Sequence, residues 1–126
     1  MLNGVLVATG LVLASLLTIG IPIVHFISVP LGPFVAGLIG GGVAKADEGQ
    51  IVKFGLYVGA LMAIPAAVTI AIGFMVDMGD PWNILIPVVG IIVVPYTWWA
   101  VTIGALGSYL MRRGEARQAA QNKSAE

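Results

Sequence analysis

The sequence predicts an all-α integral membrane protein, a bundle of four transmembrane helices, and three observations carry that prediction. The 126 residues are 59% hydrophobic and only 10% charged, with a mean hydropathy of +1.01, whereas soluble domains devote about a quarter of their residues to charge. The six Lys/Arg and six Asp/Glu are segregated, and residues 1–44, 54–76 and 81–111 contain none of them. When the uncharged stretches are divided into four spans, every basic residue falls on one side of the membrane, the pattern that orients multi-pass proteins.

Each element follows from the roughly 20 apolar residues that a helix needs to cross a hydrocarbon core about 30 Å thick. Residues 2–24 meet that length. They lack a basic n-region and a cleavage site, and they run well past the apolar core of a secretory signal, so they read as a first span. The next segment, HFISVPLGP, holds Pro30, Gly32 and Pro33 and reads as a turn or an irregular start. Residues 34–44 alone are too short to cross, so the second span is placed at 26–44, short and distorted by its prolines. KADEGQ is a polar loop. Residues 51–76 form a third span with Pro65 at its centre. In DMGDPWN, Asp80 reads as a helix N-cap, Pro81 as the first helical residue and Trp82 as an interfacial anchor. The fourth span, 84–111, is longer than the bilayer requires and contains Pro87 and Pro95, so tilt, a kink or an extension absorbs the excess. The single transmembrane domain thus covers 1–111, and 112–126 is a polar tail, a helical extension or disordered.

Four spans place both termini together. Lys45 and Lys53 flank the second loop, and Arg112, Arg113, Arg117 and Lys123 follow the fourth span. These are the marks of a cytoplasmic side, so the chain reads as multi-pass in the cytoplasmic membrane with N and C termini inside. The zero net charge then conceals a separation of about +2 inside and −2 outside.

The composition excludes several chemistries. The absence of cysteine removes disulfides, thiolate metal sites and iron–sulfur clusters, and the single histidine, His25, cannot make a histidine pair. GLIGGG at 37–42 lacks the Lys-Ser/Thr of a phosphate loop and the spacing of a dinucleotide fingerprint. No span carries an ionisable group at its centre, where proton-coupled transporters need one. No nucleophile–base pair, carboxylate pair or metal set is evident, so no enzymatic activity, cofactor, nucleic-acid partner or small-molecule substrate is expected.

Three groups of residues stand out. Gly37 and Gly41, Gly55 and Gly59, and Ala100, Gly104 and Ser108 recur at every fourth position, making flat stripes where helix backbones approach closely in lipid. They serve either the protein's own packing or an interface with another subunit. Lys45, Asp47, Glu48 and Lys53 form a cytoplasmic-surface cluster, a solvated loop or a docking point. On the opposite side His25, Asp77 and Asp80 offer a polar group that could take a metal or a proton. Tyr96, Trp98 and Trp99 make an aromatic knot suited to packing and anchoring.

The run VPLGPFVAGLIGGGVAKADEGQIVKFGLYVGALMAIP resembles a group of uncharacterised, largely archaeal, small four-helix membrane proteins. The matching positions are Pro30, Gly32, Pro33, Gly37, Gly41, Asp47, Glu48, Gly49, Gly55 and Gly59. The resemblance implies an architecture and no activity.

The expected function is therefore non-catalytic: an accessory or structural subunit that packs against larger membrane-complex subunits, or against itself, through its glycine stripes. The alternative is a homo-oligomeric pore, holin-like or a passive channel, lined by carbonyls freed at Pro65, Pro87 or Pro95.

Overall fold

In the computed structural model the described residues are 1–18, 21–76 and 79–125, with only the backbone of Pro22 and His25 included. They form four helices, α1 (Leu2–Leu17), α2 (Pro22–Ala44), α3 (Ile51–Met75) and α4 (Trp82–Ala125). Hydrocarbon offers no partner for backbone polar groups, so apolar segments of this length satisfy them internally as helices. At 1.5 Å per residue, the 16 residues of α1 span about 24 Å, the 23 of α2 about 35 Å and the 25 of α3 about 38 Å. The 44 residues of α4 reach about 66 Å, twice the hydrocarbon thickness. Within α2, α3 and α4 lie three helices long and apolar enough to cross a membrane, and α1 is a shorter apolar one.

Three boundaries differ from the sequence expectation. The first helix ends at Leu17 rather than near residue 24, and Pro22 opens α2. At a helix start the missing N–H of proline removes no hydrogen bond and its fixed φ is already helical, so Pro22 begins a helix instead of closing one. The segment that reads as a turn or an irregular start, with Pro30 and Pro33, is continuous helix inside α2, where residues 26–44 form the apolar span. A neighbouring helix supports it there, because the Tyr96 hydroxyl of α4 donates to the Pro30 carbonyl at 2.5 Å. The third boundary is at α4. The Asp80–Pro81 bond is cis, the N–H groups of Trp82 and Asn83 reach back to the Gly79 carbonyl, and the Pro81 carbonyl accepts from Leu85 at 3.0 Å. Pro81 thus stands just before the helix, and the exposed Asp80 does not cap it. The polar tail continues α4 as helix to Ala125.

The α2–α3 loop begins with a tight C-cap. Lys45 adopts the left-handed conformation at φ 49°. Its N–H bonds the Gly42 carbonyl at 3.1 Å, and that of Ala46 bonds Gly41 at 3.2 Å. This is the Schellman pattern with lysine where glycine is usual, and Ala46 next to it is buried.

The helices do not form a ring in chain order. The extensive pairings are α1 with α2, α2 with α4 and α4 with α3; α1 meets α3 only along a narrow seam, and α2 barely touches α3. α1 runs antiparallel to α2, with Gly4 beside Ala44 and Ser15 beside Gly32. α2 and α4 run parallel, Gly37 facing Val101 and Gly41 facing Ala105, while α3 runs antiparallel to α4 from Gly55–Trp98 to Gly73–Ile86. Met1, the α2–α3 loop and the α4 extension therefore share one end of the bundle. The core joins Val5, Ala8 and Val12 to Phe54, Val58 and Met62 and to Val101 and Ala105. Large apolar side chains such as Leu17, Ile23, Phe74, Met75 and Ile91 face outward, as a lipid environment allows.

Candidate functional site

All three small-residue stripes lie inside the chain. A Cβ on Gly37 would collide with the Val101 carbonyl oxygen and stand 2.8 Å from its Cα, and one on Gly41 would lie 2.9 Å from Ala105 Cα. At Gly55 it would strike the Thr102 hydroxyl, and at Gly59 it would sit 3.0 Å from Trp98 Cβ. At Gly104 the three nearest atoms are all backbone. A Cβ there meets the Phe34 carbonyl oxygen, the Leu38 nitrogen at 2.8 Å and Gly37 Cα at 3.0 Å. Ala100 and Ser108 are buried along the same face. Of the two readings of the stripes, the contacts fit packing within the protein: each stripe meets another helix of this chain.

The stripe reading missed one seam. Gly4, Ala8 and Ser15 of α1 pack on Gly40, Ala44 and Gly32 of α2; a Cβ on Gly40 would lie 2.6 Å from that of Ala8 and 2.7 Å from the Gly4 carbonyl. The four-residue spacing of Gly4 and Ala8 was the available signal. GLIGGG in fact serves two partners at once, since Gly40 faces α1 while Gly37 and Gly41 face α4.

The hydroxyls within the spans are mostly turned to local carbonyls. Ser15 donates to Val12 at 2.7 Å, Thr69 to Pro65 at 2.8 Å and Thr102 to Trp98 at 2.6 Å. Thr18 and Ser28 bond each other across the α1–α2 seam. Among the described residues only the Thr9 hydroxyl is buried without a partner. The aromatic knot divides between two helices: the Phe34 ring of α2 meets Tyr96 edge-on at 6.5 Å and Trp99 at 5.8 Å, while Trp98 faces Gly59 of α3. Where α1 stops short, an apolar cavity of about 230 Å³ opens between α3 and α4, lined by Leu16, Met62, Pro65, Thr69 and Gly90.

Charge collects at the end that holds the α2–α3 loop. The Arg112 guanidinium donates to the Ala46 carbonyl at 2.6 Å, tying α4 to the loop. The Tyr109 hydroxyl donates to Glu48 and accepts from Arg113, both at 3.4 Å, the outer limit for such bonds. Gly42, Lys45, Asp47, Tyr109, Arg112 and Arg113 line an open cleft of about 420 Å³. Lys53 is exposed one turn into α3. At the other end Asp80 is exposed, whereas Asp77 and the His25 side chain lie outside the described residues. No group of three metal-ligating side chains occurs among the described residues.

Comparison with protein-family models, curated proteins and solved structures finds no match to this chain. Its class rests on its own architecture: a helical bundle in which, among the described residues, three helices are long and apolar enough to span a membrane.

Proposed function

We propose that this protein is a non-catalytic accessory or structural subunit of the cytoplasmic membrane, with both termini inside, and that it meets larger membrane-complex subunits through its basic end. The observation that carries this reading is the α4 extension. From Arg113 to Ala125 the helix is exposed on every side and extends for about 20 Å. A helix of this length that is polar all round is marginal in water and gains stability from a partner. The glycine stripes are already occupied within the chain, so a partner would meet the extension, the Lys45–Lys53 loop or the outward apolar side chains. A pore inside one copy is disfavoured because Phe54, Met62, Val12, Val58 and Val101 fill its centre.

Extraction of the tagged full chain in mild detergent is expected to give a native mass well above that of a 13.0 kDa subunit, with larger membrane subunits co-migrating. Deletion of residues 113–126 is expected to release them. A pure homo-oligomer that passes ions in liposomes would sink the accessory reading and favour the pore.

Sidedness has its own test. Because the chain lacks cysteine, Asp80→Cys and Gln121→Cys each introduce a single reporter at an exposed position. An impermeant thiol reagent applied to intact cells is expected to label the first and to label the second only after lysis. Labelling of both from one side would overturn the four-span topology.

A further inference from the structure

We infer that the cleft between the α2 C-cap and α4 is a site for the phosphate headgroup of an anionic phospholipid, with Lys45, Arg112 and Arg113 as its cationic contacts. Three cations and one carboxylate, Asp47, line the cleft. Among the described residues no ion pair joins any of the three cations to a carboxylate. Arg112 is held by the Ala46 carbonyl at 2.6 Å, which engages part of its planar donor set and leaves further N–H groups to act as a bidentate phosphate clamp. Lys45 is held in place by the left-handed turn that ends α2. Arg113, held beside the Tyr109 hydroxyl at 3.4 Å, supplies a further guanidinium, while the Tyr109 proton goes to Glu48.

The position of the cleft argues for a lipid rather than a soluble phosphate. One to two turns toward the membrane on the same helix faces, Leu38 of α2 and Leu106 of α4 are exposed, as is Leu110 one turn from Leu106. A cationic cleft above exposed apolar side chains matches a molecule with an anionic head and acyl tails. Basic residues next to a membrane span also meet the surface on which anionic lipids concentrate. The inference needs no second protein and stands apart from the partner proposed above.

Native mass spectrometry of the full chain in detergent, titrated with phosphatidylglycerol or phosphatidylcholine, tests it. The expected result is one retained phosphatidylglycerol, bound in preference to phosphatidylcholine and not displaced by millimolar inorganic phosphate. The double variant Lys45→Gly, Arg113→Gln removes two cations without breaking the Arg112 anchor, and glycine suits the left-handed turn. It is expected to weaken retention about thirtyfold, from the contribution of each basic group at an anionic surface. Arg117→Gln, Lys123→Gln removes the same charge from the distal extension and is expected to change retention less than about threefold. Equal binding of both lipids, equal loss in both double variants, or displacement by inorganic phosphate would each overturn the assignment. Unchanged helical circular dichroism in both doubles separates loss of the site from loss of the fold.

Discussion

Gly104→Leu is expected to open the seam between α2 and α4 and to destabilise the bundle by about 3 kcal/mol or more, the upper range for overpacking. The atoms a Cβ would meet there are backbone: the Phe34 carbonyl oxygen, the Leu38 nitrogen and Gly37 Cα. Backbone cannot rotate aside as the end of a flexible side chain can, so the helices must separate. Separation is costly because helix association in lipid rests on close packing rather than on the hydrophobic effect. α2–α4 is also the central pairing, with α1 attached through α2 and α3 through α4. Gly10→Leu is the matched control, since nothing lies within 4 Å of a Cβ at that position. Thermal unfolding in detergent is expected to leave it near the parent while Gly104→Leu melts far lower. Equal melting would mean that the seam is not closed in the way described.

Phe54→Ala is expected to cost about 3 kcal/mol, the lower end for removing a buried aromatic ring. Phe54 is fully buried and is the largest side chain in the core. A Cβ on Gly40 would lie 3.1 Å from its Cζ, so the ring of α3 reaches to where α1 and α2 meet. α1 and α3 share only a narrow seam, and this ring fills much of it. The low end is expected because lipid tails are as apolar as the core, leaving lost packing as the main term. Alongside the lower melting point, amide exchange is expected to rise in α1 more than in α2 or α4. A uniform rise would show that Phe54 supports the whole bundle equally.

Much of the architecture was legible because lipid imposes simple rules. Uninterrupted apolar sequence marked the helices, and the positions of Lys45, Lys53 and the four basic residues after Met111 grouped one end of the bundle. Prolines were read less well. The local pattern puts Pro22 near the end of the first span, and Pro30 and Pro33 in a turn or an irregular start of the second, yet one opens α2 and two lie within its continuous helix. Proline's local preference is tolerated here because a neighbouring helix can supply support, as Tyr96 does from 66 positions away. That bond is invisible to any local pattern. Asp80 likewise had the chemistry of a cap, and the backbone around Gly79 and Pro81 took the role instead.

The candidate sites divide in the same way. That Gly37, Gly41, Gly55, Gly59 and Gly104 permit close approach follows from their spacing alone, since a stripe without side chains is flat whatever faces it. Which surface faces it depends on the path of the other helices, and only the tertiary structure showed that α2 lies between α1 and α4. The cleft is the clearer case. Lys45 and Arg112 are far apart in sequence, and neither is unusual beside a membrane span. The parallel packing of α2 and α4 and the left-handed turn at Lys45 bring them to one cleft. The sequence by itself determined that the protein is a helical membrane bundle with its basic residues at one end, because composition and periodicity decide which solvent each segment prefers. The tertiary structure alone decided which helices touch, that the stripes close on one another, and that the basic end holds a cleft, because those depend on contacts between residues distant in the chain.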